Sequence, residues 1–279
     1  MPTFETPQPI SVTVSLVLAD VRIVASERAD TVVDIRPGNA SAKSEKMAEQ
    51  TRVEFVDGRL LVRTPKPLGS WFGRPGRITV DIDVPAGSRL DGDTSLGDLH
   101  VDGELGECRY KTGYGEIRVG RTGRLRLDTG AGDVSVDRAA GDADITTGTG
   151  RLRVGHVDGN AVIKNSSGET WVGEATGTVR VNAANGDISV DRAAVGVTAK
   201  TARGALRIGE AASGSVVLET AAGRVEVGIP AGTAAWLDLD AGAGTVRNAL
   251  DSSTGPVESD KTVEVRARTH YGDIVVHRS

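Results

Sequence analysis

The side chains that could do chemistry are few, and spacing decides most of the cases. There is one cysteine, Cys108, and four histidines, His100, His156, His270 and His277, scattered without metal-ligand spacing. No H-E-x-x-H, G-x-S-x-G or Walker A sequence occurs. Four glycine pairs, Gly113-x-Gly115, Gly130-x-Gly132, Gly148-x-Gly150 and Gly242-x-Gly244, approach a dinucleotide fingerprint. Each lacks the third glycine and runs into a strand-like sequence rather than a helix N-terminus, so no phosphate cradle is expected. Cys108 shares an apolar column with Leu125 and Val179 and reads as a small core residue, not a nucleophile. Asp98, Glu116 and Asp133 would stand ~5 Å apart on neighbouring strands, which would suit calcium. The calcium-binding nonapeptide is missing, however, and solvated turn carboxylates are the simpler reading. No catalytic residue, cofactor or metal site is expected.

The other candidates concern binding. Arg22, Arg118, Arg153, Arg207 and Arg247 fall in one outward column, with Trp171 between. A basic stripe with an exposed aromatic could hold an anionic polysaccharide, a teichoic-acid-like polymer or nucleic acid. Acidic neighbours two residues away dilute it, so the same charges also read as a solubility device. Trp71 and Phe72, in the tip Pro65–Gly76, are the one apolar pair that periodicity does not bury. They either fold back on the chain or dock on a partner or membrane surface. Arg118, Arg153, Trp171, Arg207, Arg247, Trp71 and Phe72 are therefore the candidate binding surface.

What positions them is a repeat. The phrase Gly-x-apolar-x-apolar recurs with its glycine at 97, 115, 132, 150, 168, 186, 204, 223, 244 and 272. The second residue after the glycine is apolar in nine of ten cases, Thr170 being the exception; the fourth is apolar in nine of ten, Asn248 being the exception. Period-two alternation of β-branched residues marks a strand with one buried face. A second strand lies upstream, and the residue three before the glycine is threonine in seven of ten repeats. These threonines could form an outward ice-binding array, but their column alternates with inward residues and predicts a hydroxyl ladder inside the coil corner.

The unit is thus strand, tight turn, strand, turn in about 18 residues. A helical repeat of that length is excluded by Gly, Val, Ile and Thr content, and by the missing leucine-rich ladder. No proline occurs from Ala86 to Ile229, as expected where every backbone N–H is needed for pairing. One unit buries too little to offset its ordering entropy, so coils must stack. The predicted fold is all-β: a parallel β-solenoid of about ten 18-residue coils wound in succession, ~50 Å long, with an irregular β N-terminal cap.

A first coil is recognised at Ala19-Asp20-Val21-Arg22-Ile23. Between it and Gly97 a hairpin across Asp57-Gly58 is expected, with a strand over 78–84, and residues 41–50 form a loop or short helix. The organisation is one continuous domain: 1–90 first coil and cap, 91–250 regular repeats, and 251–279 a polar excursion with the last coil. Thirty-six glycines and 3% aromatics in 279 residues argue against a core of aromatic plates. A net charge of −5 argues against a general nucleic-acid binder. Neither an export signal nor a ~20-residue apolar run is visible, which predicts a cytoplasmic protein without a transmembrane segment, the cell surface being reachable only by a non-standard route.

The forms TGAGDVSV (129–136), NGDISV (185–190) and YGDIVV (271–276) resemble the bacterial putative adhesin family of β-strand repeat proteins, a domain of unknown function. The opening PISVTV and closing THYGDIVVHRS are similar to actinobacterial members. The resemblance implies a β-solenoid without established enzymatic activity and with a surface-binding role. Together these readings predict a non-enzymatic, adhesin-like binding or scaffolding surface for an unknown protein or anionic polymer. The alternatives are a carbohydrate-active β-helix enzyme with paired carboxylates and an intracellular partner in an envelope-stress circuit.

Overall fold

The structure is a computed structural model that describes residues 1–65, 76–250 and 261–279. Trp71, Phe72 and the excursion expected over 251–260 lie outside the described residues. Two compact units are present, Met1–Asp137 and Arg138–Ser279. Among the described residues the only helix is Ala42–Gln50, capped by the Ser41 side chain accepting from the Ser44 N–H at 3.2 Å. The other regular elements among the described residues are strands, and no helix there is long and apolar enough to cross a membrane.

In each unit the coils stack in parallel register, one ladder of upstream strands and one of downstream strands facing a shared interior. In Arg138–Ser279 the inward column Val154, Val172, Val190, Ile208, Val227 and Val276 is in register strand by strand. All six residues are buried. In Met1–Asp137, Ile23, Val101 and Val119 form the equivalent column and are also buried. The alternation that the sequence displays is therefore the inside–outside alternation of the pleat.

The corner between the two ladders explains the invariant punctuation of the repeat. Nine corner glycines, from Gly97 to Gly272, have φ between +134° and +159°, where a side chain is strained. They also stack: an added Cβ at Gly168 would overlap the carbonyl oxygen of Gly150, and one at Gly186 that of Gly168. The threonines three residues earlier point inward and are buried, as expected. Thr220 and Thr269 donate to the corner carbonyls of Gly204 and Gly223 at 3.1 and 3.0 Å.

Winding order departs from the expected succession of coils. In Met1–Asp137 the 16-residue strand Ser11–Ser26 pairs in parallel with Arg59–Arg63 and Ile78–Pro85 on one side. On its other side lie Arg89–Leu96 and the start of Leu99–Tyr114. The first coil is thus inserted between two coils that follow it in sequence. In Arg138–Ser279, Lys261–Tyr271 lies between Gly214–Ala222 and Thr233–Ala243, and Ile274–Arg278 lies between Val225–Ile229 and Val246–Asn248. Burial accounts for this order. The inserted strands carry Val263, Val265, Ala267, Ile274 and Val276, all buried, whereas the outermost coil exposes Val246. At that open position Asn248 replaces an apolar residue without cost, its Oδ1 accepting the Leu250 N–H at 3.0 Å.

The region expected as an irregular cap is partly regular, since Ile78–Pro85 and Arg89–Leu96 belong to the parallel ladders. Antiparallel strands border the outer coil here: Asp30–Pro37 pairs with Ile78–Pro85, and Arg52–Val56 pairs with Arg59–Arg63. The Asp57-Gly58 hairpin forms with φ of +49° and +72°, the geometry of a type I′ turn.

Candidate functional site

The outward arginine column exists in both units; in Met1–Asp137 its charges are answered by carboxylates, whereas in Arg138–Ser279 Arg207 meets Glu226 at 3.9 Å and Arg153 lies over the Trp171 ring. In Met1–Asp137, Arg22, His100 and Arg118 are in register. Arg22 pairs with Asp102 at 3.1 Å, His100 Nε2 lies 2.9 Å from the same carboxylate, and Arg118 pairs with Glu116 at 2.7 Å. Partial burial acts to raise the Asp102 carboxyl, but the Arg22 hydrogen bond and His100 outweigh it and hold it below the usual carboxylate value.

In Arg138–Ser279 the column reads Arg153, Trp171, Ser189, Arg207, Glu226, Val275, Arg247. It brings four of the expected binding residues onto one ladder but does not make a continuous basic stripe. Nor is Trp171 a free stacking platform. Its ring is half-buried, with the Arg153 guanidinium 4.0 Å from the ring centroid on one face. The ring also folds over Gly173, where an added Cβ would sit 2.9 Å from it.

That glycine belongs to a groove of about 650 Å³ whose floor column runs Gly155, Gly173, Asp191, Gly209. Trp171 and Arg207 form one wall; His156, Glu174, Arg192 and Glu210 form the other. This second wall is a charge ladder in strand register. His156 Nε2 is 2.7 Å from Asp158 and its Nδ1 is 3.5 Å from Glu174. Arg192 reaches Glu174 at 3.9 Å and Glu210 at 2.8 Å, and Arg138 holds Asp158 at 2.8 Å. The Arg138 hydrogen bond lowers the Asp158 pKa, and the Glu210 hydrogen bond raises that of Arg192. Sequence reading treated the histidines as scattered and missed this wall; the signal was the 18-residue step from 156 to 174 to 192 to 210.

The acidic turn residues have a structural task. Asp98 Oδ1 accepts the Glu116 N–H at 2.8 Å and Asp187 Oδ1 the Ala205 N–H at 2.7 Å, each fastening the next coil at the corner. Asp273 does the same with the Thr245 N–H at 2.8 Å, and that bond lowers its pKa. Among the described residues no group of three or more His, Cys, Asp or Glu side chains could hold a metal ion.

Cys108 is fully buried between Leu90 and Leu125, and burial pushes its thiol up to about 12. Because the thiolate is the reacting species, the folded protein is expected not to react with a maleimide at mildly alkaline pH, and to react stoichiometrically once unfolded in guanidinium. Labelling of the native state at the rate of a free thiol would contradict this burial.

Glycine corners, inward threonines and parallel register define the chain as a β-solenoid repeat protein. The Toastrack DUF4097 family model matches residues 8–278, and the chain belongs to that family. No curated protein matches it. Among solved structures it is similar to a putative cell adhesion protein from Clostridium sporogenes, at 13% identity and a TM-score of 0.22, covering 100% of this chain and 98% of the other. It is also similar to a putative adhesin from Bacteroides fragilis, at 11% identity and a TM-score of 0.29, covering 99% and 95%. A third, a putative adhesin from Parabacteroides merdae, has 9% identity and a TM-score of 0.31, covering 100% and 95%.

Proposed function

We propose that the protein acts without catalysis, as an adhesin-like binding or scaffolding surface, and that the groove on Arg138–Ser279 is its binding face. The observation that carries this reading is the groove between the Trp171–Arg207 wall and the His156–Glu210 ladder, whose floor column runs Gly155, Gly173, Asp191, Gly209, so that a carboxylate rises among three residues without side chains. The missing side chains at Gly155 and Gly209 let an extended polar segment lie close to the coils, flanked by fixed charges and by the Trp171 ring over Gly173. Arg153 holds the Trp171 ring in place before any partner arrives, which lowers the entropic cost of binding.

Hydrolysis through paired carboxylates is less well supported. Glu174 and Glu210 stand two coils apart, ~9.6 Å by strand spacing, at the edge of the range such pairs use. Both are tied to Arg192, and a guanidinium neighbour opposes the protonated form that a general acid requires.

The test compares proteins retained from host extracts by the wild type, by a Trp171→Ala/Arg207→Gln variant and by a Trp71→Ser/Phe72→Ser variant. The groove is supported if the first variant loses a partner that the second keeps. Loss confined to the second moves the binding face to the tip, and retention by both removes the groove from consideration.

A further inference from the structure

The upstream ladder of Met1–Asp137 has an outward face that the arginine column does not touch. Because Ser11–Ser26 is inserted between coils, Ser11 is flanked by Arg59 on one side and Arg89 on the other. Thr13 lies beside Leu61 and Asp91, and Asp91 in turn beside Arg109. A groove of about 310 Å³ opens here, lined by Ser11, Thr13, Arg59, Arg89 and Arg109, with Asp91 and Glu107 as its only acidic members. Arg63 continues the exposed arginines along Arg59–Arg63.

Elsewhere in the same unit Arg22, Arg28, Arg36 and Arg77 each pair with an aspartate. Arg59, Arg63, Arg89 and Arg109 make no ion pair among the described residues, although Asp91 and Glu107 sit on adjacent strands. Three uncommitted guanidinium groups, Arg59, Arg89 and Arg109, thus line a groove that holds the half-buried Ser11 and the exposed Thr13, with Arg63 one step further along its strand.

We propose that this face is a docking surface for a linear phosphate-bearing polyanion. One phosphate sits over the Ser11–Thr13 floor, held from two sides by Arg59 and Arg89 across ~9.6 Å, or two strand spacings, and the chain continues past Arg109. A tetrahedral oxyanion suits donors arriving from below and from both sides, whereas a planar carboxylate is satisfied by one arginine fork. The residues lining this groove include no aromatic side chain, so the groove itself offers no platform for nucleobase stacking. Neither Arg153 nor Arg207 takes part, so this surface is independent of the groove proposed above.

Long-chain inorganic polyphosphate is the probe, titrated into the whole 279-residue chain at low ionic strength. Arg59→Gln/Arg89→Gln/Arg109→Gln is expected to weaken binding by about tenfold or more and to flatten its salt dependence, while thermal unfolding stays unchanged. Arg153→Gln/Arg207→Gln is expected to bind as the wild type does. Glu107→Gln is expected to bind more tightly, an effect of opposite sign that misfolding does not produce. The proposal is overturned by absent polyphosphate binding, by an unchanged triple variant, by equal binding of polyglutamate, or by tighter binding of single-stranded oligothymidine.

Discussion

Gly168→Ala is expected to lower the unfolding temperature by ~5–10 °C, the equivalent of a few kcal/mol in a domain of this size. Two costs combine. At φ +134° an alanine is strained by roughly 1–3 kcal/mol. In addition, its Cβ would overlap the Gly150 carbonyl oxygen, so the corner of one coil could be relieved only by moving it off its neighbour. Separating the costs requires a glycine with positive φ and open space. Gly232, at φ +76° with nothing near its would-be Cβ, serves that purpose. Thermal unfolding of both variants should show Gly232→Ala with less than half the shift of Gly168→Ala. Equal shifts would mean that the stacking of corners contributes nothing beyond backbone strain.

The repeat was legible because every coil solves the same problem. A pleat with one buried face dictates alternation, and a stacked corner dictates glycine, so Gly168, Val172 and Thr220 announce their places by period alone. Which coil lies beside which is not written in that period. Ser11–Ser26 and Lys261–Tyr271 carry ordinary strand sequences, and only the burial gained by insertion puts each between two other coils. The same ignorance hid the basic face of Met1–Asp137. Arg59 and Arg89 are 30 positions apart with no regular step between them, and they flank Ser11 only after the strand has been inserted.

The candidate site was half legible for a related reason. Arg153, Trp171 and Arg207 were found because equal spacing implies a common ladder. Their electrostatic partners were not, because pairing depends on rotamers and on columns two or three residues away. Trp171 illustrates the loss: its outward position predicts exposure, yet the neighbouring Arg153 and the missing side chain at Gly173 give the ring somewhere to lie. Asn248 illustrates the converse, a polar residue at an inward position that became understandable once its coil proved to be outermost.

Three of the remaining departures from the pattern, Asn165, Thr170 and Ala183, fall together and predict a coupling. Thr170 stands where other repeats have an apolar residue, and Asn165 stands in the threonine column. Both are buried, and Asn165 Nδ2 donates to Thr170 Oγ1 at 3.2 Å as well as to the corner carbonyls of Gly150 and Gly168 at 3.1 and 3.2 Å. The next position in the column is Ala183, whose small side chain leaves room for the longer asparagine. Each exception therefore compensates another. Asn165→Ala is expected to cost roughly 1–3 kcal/mol, because it strands a buried hydroxyl and leaves two corner carbonyls without this donor. Thr170→Val removes one acceptor while Nδ2 keeps its carbonyl partners, and should change stability by less than about 1 kcal/mol. With Thr170→Val already in place, Asn165→Ala no longer strands a hydroxyl, so the double variant should be more stable than the sum of the two singles by about 0.5 kcal/mol or more. Urea unfolding of the four proteins measures this interaction directly. Strict additivity would show that the buried bond between them contributes nothing to holding the coil at Gly168.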